Sequence, residues 1–234
     1  MTLRQIYYQL VTKGLNYRQV AYICKVGRLK GMISWNSIVD RARPIYSIGR
    51  TFETIEDFLQ DIGDYFNLDY WIDSENHIEL WTEKDALSQV LYEIAKEYHV
   101  TVRVTRGFLS LSNKKRWGKA NLTILYFGDF DPSGLFIDKD LQWSQVGYQS
   151  FSRIALTKEQ IATYILPSIK VNRLDPRANS YIATYGKRAW ELDALSPNVL
   201  QKLVRDTIEQ YVDFDLEQKE KTENEIREKI GNLE

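Results

Sequence analysis

The sequence predicts a mixed α/β protein: a small basic helical domain of the helix-turn-helix kind, then an α/β domain on a mainly parallel sheet. Three observations carry this. The first 50 residues hold nine Lys/Arg and one acid, Asp40, for a net charge of +8, while the rest of the 234-residue chain carries −9. Those 50 residues also show helical apolar stripes. From about residue 75, short apolar runs alternate with amphipathic helical stretches, the pattern of β-α-β units.

Taken in order, Thr2-x-x-Gln5 is a capping-box pattern that opens a helix. Leu3, Ile6, Tyr7, Leu10 and Val11 recur at i, i+3, i+4, i+7 and i+8 as one apolar face, and Gly14 ends it. A second helix is expected from about Tyr17 to Lys30, with Val20, Ala21, Cys24 and Leu29 facing inward and Gly31 breaking it. Trp35-Asn-Ser-Ile-Val-Asp40 reads as a short third helix before Arg41-Ala-Arg43-Pro44. Three short helices with a basic turn fit a helix-turn-helix or winged-helix module. Thr51 is placed to cap a helix with Phe52, Ile55, Phe58, Leu59, Ile62 and Phe66 in register, and a first domain is drawn over 1–70.

The second domain, 71–234, opens with a strand at His77–Trp81 and a helix from about Asp85 to Tyr98. Strands follow at Val100–Val104, Asn121–Phe127 and Phe151–Leu156, with a helix starting near Thr157. Residues 167–190, with Pro167 and Pro176 and few apolar clusters, read as an irregular excursion. From Pro197 a helix carries Leu200, Leu203, Val204, Ile208, Tyr211 and Val212, and the charged tail after Asp213 reads as a solvated or frayed helix.

Composition removes several classes of function. One cysteine, Cys24, excludes a disulfide framework and a cysteine-rich zinc site. The two histidines, His77 and His99, lie in no ligand spacing. No apolar run approaches the roughly 20 residues of a membrane span, and Met1-Thr2-Leu3-Arg4 lacks a signal-peptide core. A cytoplasmic protein without membrane contact is expected. The basic N-terminal stretch points to nucleic acid, with Arg18, Lys25, Arg28, Lys30, Arg41 and Arg43 as candidate phosphate contacts.

The most chemical stretch is Tyr126-Phe-Gly-Asp129-Phe-Asp131-Pro-Ser-Gly134. A strand ends in two carboxylates at i and i+2, which extended backbone points to one side. Open α/β sheets bind ligands at that end of their strands. Two acids on one side repel unless a cation lies between them, and hard oxygen ligands suit Mg²⁺. A third acid, Glu83, follows the first strand of the same domain and belongs on the same edge.

Together these residues resemble a Toprim domain: Glu83-Lys84 after a strand, Arg106-Gly107 after the next, then Gly128-Asp129-Phe130-Asp131-Pro132-Ser133-Gly134. The form is most similar to the A subunit of topoisomerase VI and the related meiotic double-strand-break proteins. Trp190-Glu191-Leu192-Asp193-Ala194-Leu195 is similar to a downstream segment of that group. The group places a winged helix before Toprim, with a tyrosine in Arg-x-[Ile/Leu]-[Phe/Tyr]-Tyr, and this chain reads Arg4-Gln5-Ile6-Tyr7-Tyr8. Helical phase puts Tyr7 on the apolar stripe and leaves Tyr8 off it, exposed beside Arg4.

The resemblance implies that Tyr8 is the nucleophile with Arg4 beside it, and that Glu83, Asp129 and Asp131 hold Mg²⁺ or Mn²⁺. It further implies a nucleoid-associated homodimer on double-stranded DNA, the tyrosine of one protomer meeting the acids of the other to form 5′-phosphotyrosyl links. Arg106, Lys114, Lys115 and Arg116 could grip backbone phosphates. No Gly-rich nucleotide motif is present, so any ATPase would be a separate chain. Two other readings stand beside this one: a Toprim nuclease using metal-activated water with Tyr8 structural, and a non-catalytic DNA-binding protein of a mobile element. Glu191 and Asp193 are expected to pair with Lys187 or Arg188 rather than touch the metal.

Overall fold

The computed structural model describes residues 1–34, 37–38, 51–105, 121–144 and 148–231. Most of the expected third helix, with Arg41 and Arg43, lies outside these residues, as do Arg106, Lys114, Lys115 and Arg116.

Helix α1 (Leu3–Leu10) opens with the capping box expected at Thr2 and Gln5: Thr2 N donates to Gln5 Oε1 at 2.8 Å, and Gln5 N to Thr2 Oγ1 at 3.2 Å. A single 3₁₀ turn and Gly14, with φ +77°, end it. Helix α2 (Tyr17–Leu29) has a second capping box, Asn16 with Gln19. Leu3, Ile6, Tyr7 and Leu10 of α1 pack on Val20 and Cys24 of α2, with Ile38 closing the cluster. Leu29 is a correction: the inward face runs through Val20, Cys24 and Gly27, and Leu29 is 67% exposed. Two residues past Gly27 is about 200° around the helix.

Helix α3 (Ile55–Tyr65) is capped by Thr54, whose hydroxyl accepts from Asp57 N at 3.1 Å, not by Thr51. Phe52, Ile55, Phe58 and Ile62 remain exposed. The opposite side of α3 meets the tail, which is another correction. Far from frayed, the tail forms a 16-residue helix, α9 (Leu216–Gly231), and it approaches so closely that a Cβ on Gly63 would sit 3.2 Å from the Arg227 carbonyl. Polar groups hold it. The buried Glu223 accepts from Leu68 N at 2.8 Å and pairs with Arg227 at 2.7 Å, while Arg227 Nε donates to Phe66 O at 2.9 Å. Hydropathy periodicity cannot see a docking made this way.

Four parallel strands form the sheet, in the order β2-β1-β3-β4: β1 (His77–Thr82), β2 (Thr101–Val104), β3 (Leu122–Phe127) and β4 (Ser150–Ala155). Alternation along β3 sends Leu125 and Phe127 to one face and Leu122, Ile124 and Tyr126 to the other. The first face is covered by Leu87, Leu91 and Ile94 of α4 (Asp85–Ala95) and by Leu200, Val204 and Ile208 of α8 (Pro197–Ile208). Each such fully buried leucine is worth about 1.5–3 kcal/mol. Ile137 of α5 (Pro132–Ser144) packs on the second face, to which β1 contributes Trp81. The chain is thus mixed α/β around a parallel sheet, as expected.

Between β4 and α8 lie α6 (Lys158–Thr163) and then β5 (Ile169–Lys170), α7 (Ala178–Tyr185) and β6 (Arg188–Ala189). The expected irregular excursion is therefore a small β-α-β unit, its two short strands antiparallel. Its core contacts are scattered, with Ile169, Val171, Ala178, Ile182 and Ala189 beside the aromatics Tyr181 and Tyr185 around Phe130, and they make no long periodic run. Among the described residues no helix is long and apolar enough to cross a membrane.

A candidate active site at the topological switch point

The strand order reverses between β1 and β3. From β1 the chain moves outward to β2 with α4 on one face; from β3 it moves the other way to β4 with α5 on the other face. Where two such connections diverge, the carboxyl ends of the strands leave a crevice. Glu83 leaves β1 and Asp129 leaves β3 at this point. Glu83 Oε1 accepts from the backbone N–H of Asp129 at 3.1 Å, joining the two strand ends.

The loop from Asp129 into α5 is built tightly. Pro132 takes the first turn of α5, where a missing N–H costs nothing. Asp131 Oδ1 accepts from Gly134 N at 2.6 Å, turning that carboxylate toward the helix start. A Cβ on residue 134 would fall onto the Asp129 carbonyl, so only glycine fits. Phe130 forms an antiparallel bridge with Trp190, N to O at 2.8 Å and O from N at 3.0 Å. This bridge carries Glu191, Leu192 and Asp193 to the crevice, where Leu192 N donates to Asp129 Oδ1 at 2.7 Å.

Lys84 sits at the centre, and sequence reasoning missed its role. Its ammonium has three protons. They meet Asp193 Oδ2 at 2.5 Å, Asp129 Oδ1 at 2.8 Å and Glu191 Oε2 at 3.2 Å. These carboxylates drive its pKa up against the effect of burial. Glu191 and Asp193 therefore pair with Lys84, not with Lys187 or Arg188 as expected. Their route to the site is the Phe130–Trp190 bridge, which no local pattern announces.

Arg4 and Tyr8 arrive from α1. Arg4 Nε lies 3.2 Å from Glu191 Oε2, and the Tyr8 phenol lies beside the same carboxylate. Tyr8 is 6% exposed, which corrects the expectation of an exposed phenol. The apolar stripe of α1 faces α2, but Gln5 and Tyr8 on its polar side are buried against the α/β domain. A stripe identifies one contact face of a helix and is blind to a second, polar one. Tyr8 and Arg4 also meet the acids of their own chain, whereas the resemblance implied those of a partner.

Burial, then the Glu191 charge, pushes the phenol of Tyr8 well above its usual range, while Lys84 and Arg4 pull it down. Burial and the Asp129 charge raise Glu83 to about 7. Burial also lifts Asp129, and Lys84 and the Leu192 amide draw it back. Since the Glu83 carboxyl is held above the roughly 4.3 of an unfolded chain, its stabilising contribution is full below that value and lost as pH rises through about 7. Glu83→Gln, which stays neutral, should match wild type in melting temperature below about pH 4 and exceed it by several degrees above pH 7. Thermal unfolding across that range checks this, and parallel curves would refute it.

Among the described residues, the cluster brings together five carboxylates (Glu83, Asp129, Asp131, Glu191 and Asp193) and two cations, Arg4 and Lys84. Negative charge is in excess, and Asp193 Oδ1 is buried with no hydrogen-bond partner. An all-oxygen donor set with uncompensated charge suits a hard divalent cation. Among the described residues no three acid, His or Cys side chains are gathered around one point, and Asp131 accepts from Gly134 N. In charge and chemistry the residues fit such an ion.

A second residue missed by sequence reasoning is Arg153 of β4. It pairs with the buried Asp138 of α5 through Nε and through Nη2, the latter at 3.0 Å. Nη1 donates to the carbonyls of Gly128 and Leu156 at 3.0 Å and Ala155 at 3.3 Å; Nη2 donates to Gly134 at 3.2 Å and Asp129 at 3.3 Å. One guanidinium thus pins the acid-bearing loop to β4 and α5.

Of the candidate phosphate contacts, Arg18 and Lys25 are exposed seven residues apart on α2, and Lys30 follows them, exposed. Arg28 is half-buried and donates to the Ile38 carbonyl, a structural bond. No protein-family model matches the chain, and no curated protein matches it.

Proposed function

We propose that this protein cleaves and rejoins double-stranded DNA through Tyr8, as a Mg²⁺-dependent transesterase with a winged-helix domain followed by a Toprim domain. The observation that carries the reading is the convergence of Tyr8 and Arg4, from the basic N-terminal domain, on the acid cluster at the switch point through Glu191 and Lys84. The resemblance of the same residues to the topoisomerase VI A group supports it.

The reaction exchanges one phosphodiester for another. The Tyr8 oxygen bonds to phosphorus, the bond from phosphorus to the 3′-oxygen breaks, and the phenol proton passes in net to that oxygen. The freed 3′-hydroxyl reverses the step. Arg4 and Lys84 lower the cost of the phenolate and neutralise the non-bridging oxygens as charge builds. Glu83, Asp129 and Asp131 would hold Mg²⁺ or Mn²⁺, which supplies Lewis-acid neutralisation at the phosphate and leaving oxygen. Arg18, Lys25 and Lys30 attract the DNA backbone, and their contacts weaken steeply with salt. Each chain carries one cluster, so a break in both strands calls for a homodimer at the nucleoid, with any ATPase on a separate subunit.

Supercoiled plasmid incubated with Mg²⁺ tests this. Cleavage should leave protein joined to the 5′ ends, and Asp129→Ala combined with Asp131→Ala should abolish it. Unchanged cutting by that double variant would remove the metal assignment. The burial of Tyr8 favours one alternative, a nuclease using activated water, and protein-free ends would establish it. Duplex binding without nicking under Mg²⁺ or Mn²⁺ would instead indicate a non-catalytic DNA-binding protein.

A further inference from the structure

We infer that the Glu191 carboxylate occupies the seat of a DNA phosphate, and that duplex DNA engages the site by displacing it. The inference rests on the reading of this crevice as one that handles phosphodiesters.

Two cations from separate parts of the fold meet this one carboxylate, Arg4 Nε at 3.2 Å and Lys84 Nζ at 3.2 Å, and the Tyr8 phenol lies beside it. A carboxylate and a phosphodiester each present two oxygens sharing one negative charge, and guanidinium and ammonium groups bind both. Glu191 therefore uses the donors that a phosphate placed for attack by Tyr8 would need. Of the three carboxylates on Lys84 it is also the farthest, at 3.2 Å. Asp193 and Asp129 lie nearer to Lys84, at 2.5 and 2.8 Å, and the Asp193 side chain is fully buried.

The backbone at Glu191 is fixed independently of its side chain. Trp190 is bridged to Phe130, and Leu192 N donates to Asp129 Oδ1. The Glu191 side chain caps no helix end, so it can turn away without breaking a backbone bond. Arg4 remains half-exposed at the entrance, with 55% of its side chain open to solvent. The backbone that carries Glu191 is tied on both sides, and its side chain bonds no backbone group of the described residues.

The test is duplex binding by fluorescence anisotropy in metal-free buffer, where no cleavage competes. Glu191→Gln should bind a duplex oligonucleotide about tenfold more tightly than wild type, the equivalent of one charge-assisted hydrogen bond no longer contested. Its binding should also fall more steeply with salt, by about one to two counterions. Arg4→Ala added to Glu191→Gln should return affinity to the wild-type level. If Glu191→Gln does not fold, Glu191→Asp, one methylene too short to hold both Arg4 and Tyr8, replaces it and should likewise bind more tightly. Affinity equal to or below wild type in the folded variant overturns the inference. Should that variant also form the covalent adduct much more slowly, Glu191 is the proton acceptor for Tyr8 instead. A wild-type protein that forms the adduct while Glu191→Gln binds no better loses this inference alone; one that binds no duplex loses the functional reading with it.

Discussion

Tyr8→Phe is expected to abolish the covalent protein–DNA adduct, lowering its rate of formation by a factor on the order of 10⁴ or more. The substitution removes one oxygen and keeps the ring, which packs at 5.1 Å from Tyr7. Glu191 retains Arg4 and Lys84, so the fold should lose at most about 1.5–3 kcal/mol, the worth of one hydrogen bond to a charged group. Duplex binding should persist, since Arg18, Lys25 and Lys30 lie on or just beyond the other helix. Denaturing gels of labelled DNA after incubation with Mg²⁺ read the adduct directly. If Tyr8→Phe cuts and attaches as wild type does, Tyr8 is structural and another group is the nucleophile.

The second large effect is on stability. Arg153→Ala should cost about 3–5 kcal/mol, because it strands the buried Asp138 carboxylate without its partner and leaves inward-facing carbonyls unserved. Arg153→Lys should recover only part of this. An ammonium restores a charge beside Asp138, but three protons cannot replace a planar fork that meets Asp138 and five carbonyls. Urea unfolding of the two variants against wild type measures both. A loss below about 1 kcal/mol for Arg153→Ala would mean that the loop is held by its own turn chemistry rather than by β4.

What could be read from the sequence follows the range of the interactions involved. The first capping box, the helical stripes, the four parallel strands and the placement of Glu83 with Asp129 and Asp131 on one edge are all local patterns or consequences of β-α-β handedness. What escaped depends on contacts between distant residues. Lys84 looked like a motif neighbour until the Phe130–Trp190 bridge brought Glu191 and Asp193 to it. Arg153 lies in a strand whose outward pattern gives no sign that its guanidinium reaches back to the loop after β3. The α9 helix docks largely through Glu223 and Arg227, with sparse apolar contacts such as Leu216 and Ile230, so a hydropathy reading leaves it in solvent. Helical phase places Tyr8 off the apolar stripe of α1, yet phase alone cannot tell a second buried face from an exposed one.

The residues that meet at the switch point come from four separate places: Arg4 and Tyr8, Glu83 and Lys84, Asp129 and Asp131, and Glu191 with Asp193. A growing chain therefore has its phenol from the outset but lacks the groups beside it until Asp193 has been synthesised and the sheet has closed. Loops this long add to the entropy of closure and place such contacts late in folding. Neither a truncated translation product nor a chain nicked between β1 and the Trp190 bridge and separated would carry the assembled cluster. The assembled cluster thus belongs only to molecules in which the chain extends through Asp193 and the sheet has closed.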